Sequence, residues 1–458
     1  MNVRMRWNAW GLVGLLTVAG AGVAWAAGTP GTLDTGYGGD GISITQINTS
    51  DVTTPVGTAM DTQGRVLYAG YRRKAIVAKK STTYVYSWHV VRTNASGDLD
   101  PTFSDDGQVD LYSGAGGQSG AQDVAADPSD RVLLVGSVAL YGSGGKYLRS
   151  DLRLVRLLAN GNLDTSFASS GVAALPTSLA GNDAAYAVEV QPDGKILVGG
   201  SRSVTSSSGT HLGDLSFIAR FLSSGALDTT YASGGIWVSS AYVSSRIVRF
   251  RVDGLARLAV ITNDDVALRS STGSLLWQSP KPFTSFVNSY LGDVAFDASG
   301  NVLISGQGLD GVASDFVAAR FLGSTGVLDT SFNGSGVFAS GKTTANTTWA
   351  TSFDAGMSLL VQADGKIVLA GTCQPQSGVV AGLLLRLNAD GTYDSTFGPG
   401  ADGPGVSQPL VAPGVKLTVN SHGMRVYVHP TAGDLVYACG AQDLNTLSYE
   451  RAAAYFNP

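Results

Sequence analysis

The chain has 458 residues, 60 of them glycine, with 14% charged residues and a formal net charge of −5. Abundant glycine with little charge suits many short strands joined by tight turns and excludes a helical protein, because glycine takes positive φ cheaply but weakens helices. The acidic balance excludes a general nucleic-acid binder.

Residues 1–26 read as a signal peptide. Arg4 and Arg6 precede the apolar run Gly11 to Val23, and Ala24-Trp25-Ala26 supplies an A-x-A cleavage site. The run is short for a membrane span, which needs about 20 apolar residues. An uncleaved anchor is the alternative. No later segment could span a bilayer, so no transmembrane span is expected after cleavage. The expected location is secreted, periplasmic or cell-surface, and a monomer is expected.

Residues 27–458 then repeat one unit. Its third copy is the clearest. An alternating strand, Ala184 to Gln191, leads into the turn Pro192-Asp193-Gly194. Lys195 to Gly200 is a near-continuous apolar strand, Phe217 to Leu222 a third, and Gly235 to Val238 a fourth. The first turn recurs at Thr62-Gln63-Gly64, Pro128-Ser129-Asp130, Asp253-Gly254, Ala298-Ser299-Gly300, Asp364-Gly365 and Thr431-Ala432-Gly433. Seven stacked units of four short strands predict an all-β, seven-bladed β-propeller of four-stranded antiparallel blades. The seventh unit lacks its closing piece, which sits at the other end of the chain as Leu33-Asp34-Thr35-Gly36-Tyr37 and Gly41 to Thr45. The N-terminal strand within 33–47 is therefore expected to complete blade seven, 423–458, and remove an open sheet edge.

One arginine marks each unit: Arg92, Arg156, Arg220, Arg269, Arg320, Arg386 and Arg451. Asp100, Asp164, Asp228 and Asp394 each lie eight residues after an arginine, and Asp329 lies nine after Arg320. Across the closure, Asp34 is expected to serve Arg451. Blade four has Trp277 where the aspartate would be, so Arg269 should lack this partner. A planar guanidinium suits carboxylate contact, and a residue repeated with the fold usually serves the fold. A ring of anion-binding arginines is the functional alternative.

The units resemble the delta-60 repeat, a bacterial β-propeller family. Three motifs carry the resemblance: Gln191 to Gly200, echoed by Gln362 to Gly371; Arg386-Leu387-Asn388-Ala389-Asp390-Gly391; and Leu163-Asp164-Thr165-Ser166-Phe167 followed by Gly171. The resemblance implies the propeller fold and a secreted bacterial setting, and it carries no reaction or catalytic set.

Strand order puts the two kinds of short turn on one face and the variable loops on the other, where function concentrates in such scaffolds. Candidate binding loops are 72–88, 141–151, 201–213, 341–353 and 406–423. Arg72, Arg73, Lys74, Lys79 and Lys80 form a basic run in an acidic chain, followed by Tyr84, Tyr86 and Trp88. They read as a docking surface for an anionic glycan or acidic protein, or as a solvated hairpin with its aromatics packed on blade one. Tyr141, Tyr147 and Trp349 could stack on sugar rings. Cys373 and Cys439 fall near the ends of the second strands of consecutive units, so a disulfide is a candidate, with two buried thiols the alternative.

No His-Glu-x-x-His or Gly-x-Ser-x-Gly motif is present. No cofactor is expected, although the acidic turns Asp105-Asp106-Gly107 and Gly39-Asp40-Gly41 could hold calcium weakly. The leading expectation is an exported, non-catalytic scaffold that binds protein or carbohydrate. The alternative is a metal-dependent hydrolase, lyase or lactonase-like enzyme with its site in the axial channel. Three or more carboxylates or histidines converging there would favour the enzyme.

Overall fold

A computed structural model describes residues 30–34, 37, 41–45, 52–78, 81–115, 120–176, 182–206, 208, 210–240, 247–309, 314–340, 355–373, 381–398, 405–407, 415–418, 424–443 and 449–458. The leader, Lys79, Lys80 and Trp349 lie outside these residues.

After β1 (Ile42–Thr45), the strands follow in blades. Blade one holds β2 (Val52–Met60), β3 (Val66–Ala78), β4 (Ser81–Thr93) and β5 (Gln108–Ala115). Blade two holds β6 (Gly120–Ala126), β7 (Val132–Tyr141), β8 (Tyr147–Leu157) and β9 (Val172–Ala173). Blade three holds β10 (Asn182–Val190), β11 (Ile196–Thr205), β12 (His211–Phe221) and β13 (Ile236–Val238). Blade four holds β14 (Ile247–Val252), β15 (Leu258–Thr262), β16 (Asp265–Arg269) and β17 (Leu275–Pro280). Blade five holds β18 (Asn288–Phe296), β19 (Val302–Leu309), β20 (Ser314–Phe321) and β21 (Val337–Ala339). Blade six holds β22 (Ala355–Val361), β23 (Ile367–Cys373) and β24 (Ala381–Leu387), with a single bridge from Leu385 to Val406 in the fourth place. Blade seven holds β25 (Val415–Thr418), β26 (Arg425–Val428), β27 (Leu435–Asp443) and β28 (Tyr449–Phe456).

Each blade is an antiparallel meander, and the first strands touch in a closed circle from β2 through β6, β10, β14, β18, β22 and β26 back to β2. The N-terminal strand closes the ring, with β1 pairing β28 from Ile42 opposite Ala454 to Thr45 opposite Arg451. The third-to-fourth turn of blade seven is built from the two ends of the chain. Gly31 N–H donates to Asn457 O at 2.9 Å, and Asn457 N–H donates to Thr32 O at 2.9 Å. No described helix is long and apolar enough to cross a membrane.

Apolar side chains from facing blades fill each of the seven interfaces. This packing corrects the candidate disulfide. Cys373 packs between blades five and six, whereas Cys439 packs between blades six and seven. Both thiols are buried, and no disulfide joins them. Cys439 sits level with Gly371, two residues along β23 from Cys373, so the two thiols differ in height and lie on opposite sides of blade six.

Candidate functional site

The repeating arginine is a staple between blades. Arg92 Nε donates to Asp100 Oδ2 at 2.8 Å, Nη2 to Thr102 Oγ1 at 3.0 Å, and Nη1 to Ala159 O of the next blade at 2.6 Å. Its guanidinium lies 4.6 Å from the centre of the Phe103 ring. The Nε–carboxylate bond recurs at 2.8 Å for Arg156–Asp164 and Arg220–Asp228, and at 2.7 Å for Arg320–Asp329 and Arg386–Asp394. Arg156 and Arg320 also reach the next blade, at Ser223 O and Ala389 O. Burial pushes the Asp394 carboxyl up, but hydrogen bonds from Thr396, Lys366 and Arg386 outweigh it and hold the group well below the usual carboxylate range. Blade four solves the same problem differently. Arg269 lies 3.6 Å over the Trp237 ring, and the indole N–H of Trp277 donates to Gly323 O of blade five at 3.0 Å.

Arg451 is not the seventh staple. The staple arginines pair with Leu67, Leu133, Leu197, Leu303 and Val368 of the second strands, and the matching position in blade seven, opposite Val436, is Tyr455. Asp34 follows Tyr455, with its N–H donating to Tyr455 O at 2.8 Å as Asp100 N–H donates to Arg92 O at 3.0 Å. Arg451 lies four residues away, opposite Gly440, and Nη1 donates to Thr53 Oγ1 at 3.1 Å.

The loop face is asymmetric. The β3–β4 hairpin pairs as far as Ala78 with Ser81, whereas β15–β16 stops at Ile261 with Val266. At about 3.3 Å per residue, the blade-one ladder runs roughly 30 Å beyond that of blade four. The β7–β8 and β11–β12 hairpins are long too. These three hairpins expose Ile76, Val77, Tyr84, Tyr141, Tyr147, Leu148 and Leu212, with Val77 73% and Leu148 59% exposed. Arg73 lies 4.9 Å from the Tyr84 ring centre, and Tyr141 and Tyr147 meet edge to face at 5.9 Å. Tyr147 Oη also donates to Asn182 Oδ1 at 2.9 Å. Arg72 is turned to Asp110, 2.8 Å away. Trp88 is a correction: it is fully buried against Tyr112 in the core between blades one and two and presents nothing to a ligand.

The axis holds a set of charges that no motif announces. A β-bulge interrupts the first strand of blades one to six, and the residues just after it are Gly57, Asp123, Ala187, Arg249, Asp293 and Ser358. Arg425 takes the matching place in blade seven. Arg425 Nη2 reaches Asp123 Oδ1 at 3.0 Å, crossing blade one where Gly57 has no side chain; a Cβ there would come within 2.8 Å of Asp123 Cα. Arg249 lies 3.6 Å from Asp123 and 3.7 Å from Asp293. Arg251 bridges Asp293 and Glu189, each at 3.3 Å. These side chains also satisfy backbone groups of neighbouring first strands. Asp123 accepts from Val188 N–H at 3.1 Å, Asp293 from Leu359 N–H at 3.2 Å, and Ser358 Oγ from Val426 N–H at 3.1 Å. Burial raises Glu189 above the usual carboxylate range; it pushes Asp293 up too, but Arg251, Arg249 and Arg425 bring that group below it.

Three carboxylates thus converge on the axis, but three guanidinium groups and strand N–H groups occupy them. Among the described residues, no three His, Cys, Asp or Glu side chains are grouped to hold a metal ion. In the turn at Asp105 and Asp106, Asp106 Oδ1 accepts from Gln108 N–H at 2.9 Å.

Residues 81–103, 129–167, 191–231 and 362–397 match the model of a β-propeller domain of unknown function, DUF5122. Each segment ends on the aromatic residue beneath a staple arginine: Phe103, Phe167, Tyr231 or Phe397. No curated protein matches the chain significantly. A protein of unknown function from Bacteroides caccae is 12% identical, with a TM-score of 0.38 over 75% of this chain and 98% of its own. The β-propeller domain of Nup133 from Vanderwaltozyma polyspora is 8% identical, with a TM-score of 0.39 over 84% and 98%. An ulvan lyase of polysaccharide lyase family PL25 is 11% identical, with a TM-score of 0.36 over 88% and 79%. Likeness at this level carries no functional argument. The matched repeats and the seven blades together mark the chain as a β-propeller protein similar to the DUF5122 family.

Proposed function

We propose that this protein is an exported, non-catalytic scaffold that binds a protein or carbohydrate ligand across the projecting hairpins of blades one to three. One observation carries the reading: exposed apolar and aromatic side chains gather on the three consecutive long hairpins. Exposed apolar groups set side by side on a rigid support mark binding surfaces in soluble proteins. Tyr84, Tyr141 and Tyr147 supply flat faces for sugar rings or apolar side chains, and Arg73 and Lys74 add positive charge in an acidic chain. Export rests on the leader sequence, and cleavage after Ala26 would start the mature chain at Ala27.

The test is a glycan and protein-partner screen with the mature chain, followed by Tyr84→Ala, Tyr141→Ala and Tyr147→Ala. Loss of a detected ligand by tenfold or more, with unfolding unchanged, supports the reading. Retention of every ligand by the triple variant overturns it. N-terminal sequencing of protein recovered outside the cytoplasm tests the export step.

A further inference from the structure

Arg451 is buried at the seam where the ring closes, between blades seven and one. Its guanidinium donates Nη1 to Thr53 Oγ1 at 3.1 Å, while Nε has no hydrogen-bond partner. In the five staples, Nε is the atom that meets a carboxylate. His89 is also buried, near enough for the charge of Arg451 to act on it. Its Nδ1 lies 2.9 Å from Asp110 Oδ1, and its Nε2 has no hydrogen-bond partner. Asp110 also accepts from Arg72 at 2.8 Å and Ser87 at 3.1 Å. The strand residue opposite Arg451 is a glycine, Gly440, so no cross-strand side chain lies beside the guanidinium, whereas opposite His89 the carbonyl of Thr54 takes the place of a side chain at Gly70. A buried cation and a buried ring nitrogen without partners are costly unless something answers them.

We propose that the seam between blades seven and one binds a small monocarboxylate, one oxygen accepting from Arg451 Nε and the other from His89 Nε2. The ligand takes the part that aspartate plays in the staples. The side-on edge of a guanidinium is suited to carboxylate oxygens. With Nδ1–H donated to Asp110, His89 must gain a proton at Nε2 to donate there, so binding takes up one proton and tightens as pH falls. The charged groups around this proton are Asp110 on β5, Arg72 on β3 and Arg451 on β28. Burial opposes the proton most strongly, Asp110 favours it, and Arg451 and Arg72 oppose it, so His89 is neutral at ordinary pH until the carboxylate arrives. The Arg72–Asp110 pair, partly exposed, is the solvent-facing side of this cluster. This site does not depend on the hairpin rim binding anything.

The test is thermal unfolding of the mature chain with sodium formate replacing sodium gluconate at constant ionic strength. We expect a saturating rise in Tm of about 2–4 °C, larger at pH 5.5 than at pH 7.5. Acetate should act similarly and citrate should not. Arg451→Met should abolish the rise, while Arg257→Met on the turn face keeps it. An equal rise in Arg451→Met, or none in the wild type, overturns the proposal. A crystal of the wild type grown in formate gives a second reading that needs no variant. Formate between Arg451 and His89 supports the site, and an ordered water in its place overturns it.

Discussion

Tyr455 stacks on Tyr37 with ring centres 3.7 Å apart, in the place where five other blades set an arginine over a phenylalanine or tyrosine. The substitution falls at the seam, where the two partners come from opposite ends of the chain. An apolar stack there joins the ends without burying a further charge. Tyr37→Ala and Tyr455→Ala should each destabilise by about 3 kcal/mol, since both rings are buried. A double-mutant cycle should give a coupling of about 1 kcal/mol. Additive losses in chemical denaturation would show that the stack does not couple the ends.

The axial charges predict a different response. Asp123 faces both Arg425 and Arg249 and is fully buried. Asp123→Asn should cost about 3–5 kcal/mol, because it leaves buried guanidinium groups without their counter-charge. Asp123→Leu combined with Arg425→Met should cost less than the sum of the single changes, as both desolvated charges then disappear together. Equilibrium unfolding of the three variants decides it, and simple additivity would count against a shared network.

Much of this was legible in the sequence, and the limits have physical causes. The staple pairs were legible because both members lie within one hairpin, eight or nine residues apart. Blade seven misled because its staple position holds tyrosine, while an unrelated arginine stands four residues away. The axial set gave no motif because each blade contributes one residue and no residue type repeats throughout. A signal was present all the same. Gly57, Asp123, Ala187, Arg249, Asp293, Ser358 and Arg425 each precede by four the residue that opens the first turn: Asp61, Asp127, Gln191, Asp253, Asp297, Gln362 or His429. Aligning the turns lines up the ring. Spacing could not show which side of blade six each cysteine faces, because that depends on strand register.

The thiols give a direct check. Burial pushes Cys439 up to about 12, so its reactive thiolate is scarce at neutral pH, and Cys373 is equally enclosed. Native protein should leave both unmodified by a thiol reagent, and unfolded, unreduced protein should show two reactive thiols. Their absence after unfolding without reductant would mean that the pair is oxidised.

The staples make stability depend on acid. Asp100, Asp164, Asp228, Asp329 and Asp394 all sit below the ordinary carboxylate range, so the folded chain binds fewer protons than the unfolded chain around pH 4. Their contribution is complete above the unfolded value near 4 and is lost as pH falls through the folded values below it. The Tm should therefore fall steeply below about pH 4, and Asp164→Asn should lessen the slope while lowering stability at pH 7. The cost should track burial. Side-chain exposure is 5% and 6% for Arg156–Asp164 but 12% and 14% for Arg320–Asp329. Asp164→Ala should lose about 3 kcal/mol and Asp329→Ala less, because solvent can still reach the guanidinium left behind in blade five. Equal losses from the two variants would show that the hydrogen bonds to the next blade, rather than the buried charge pairs, set the strength of the staple.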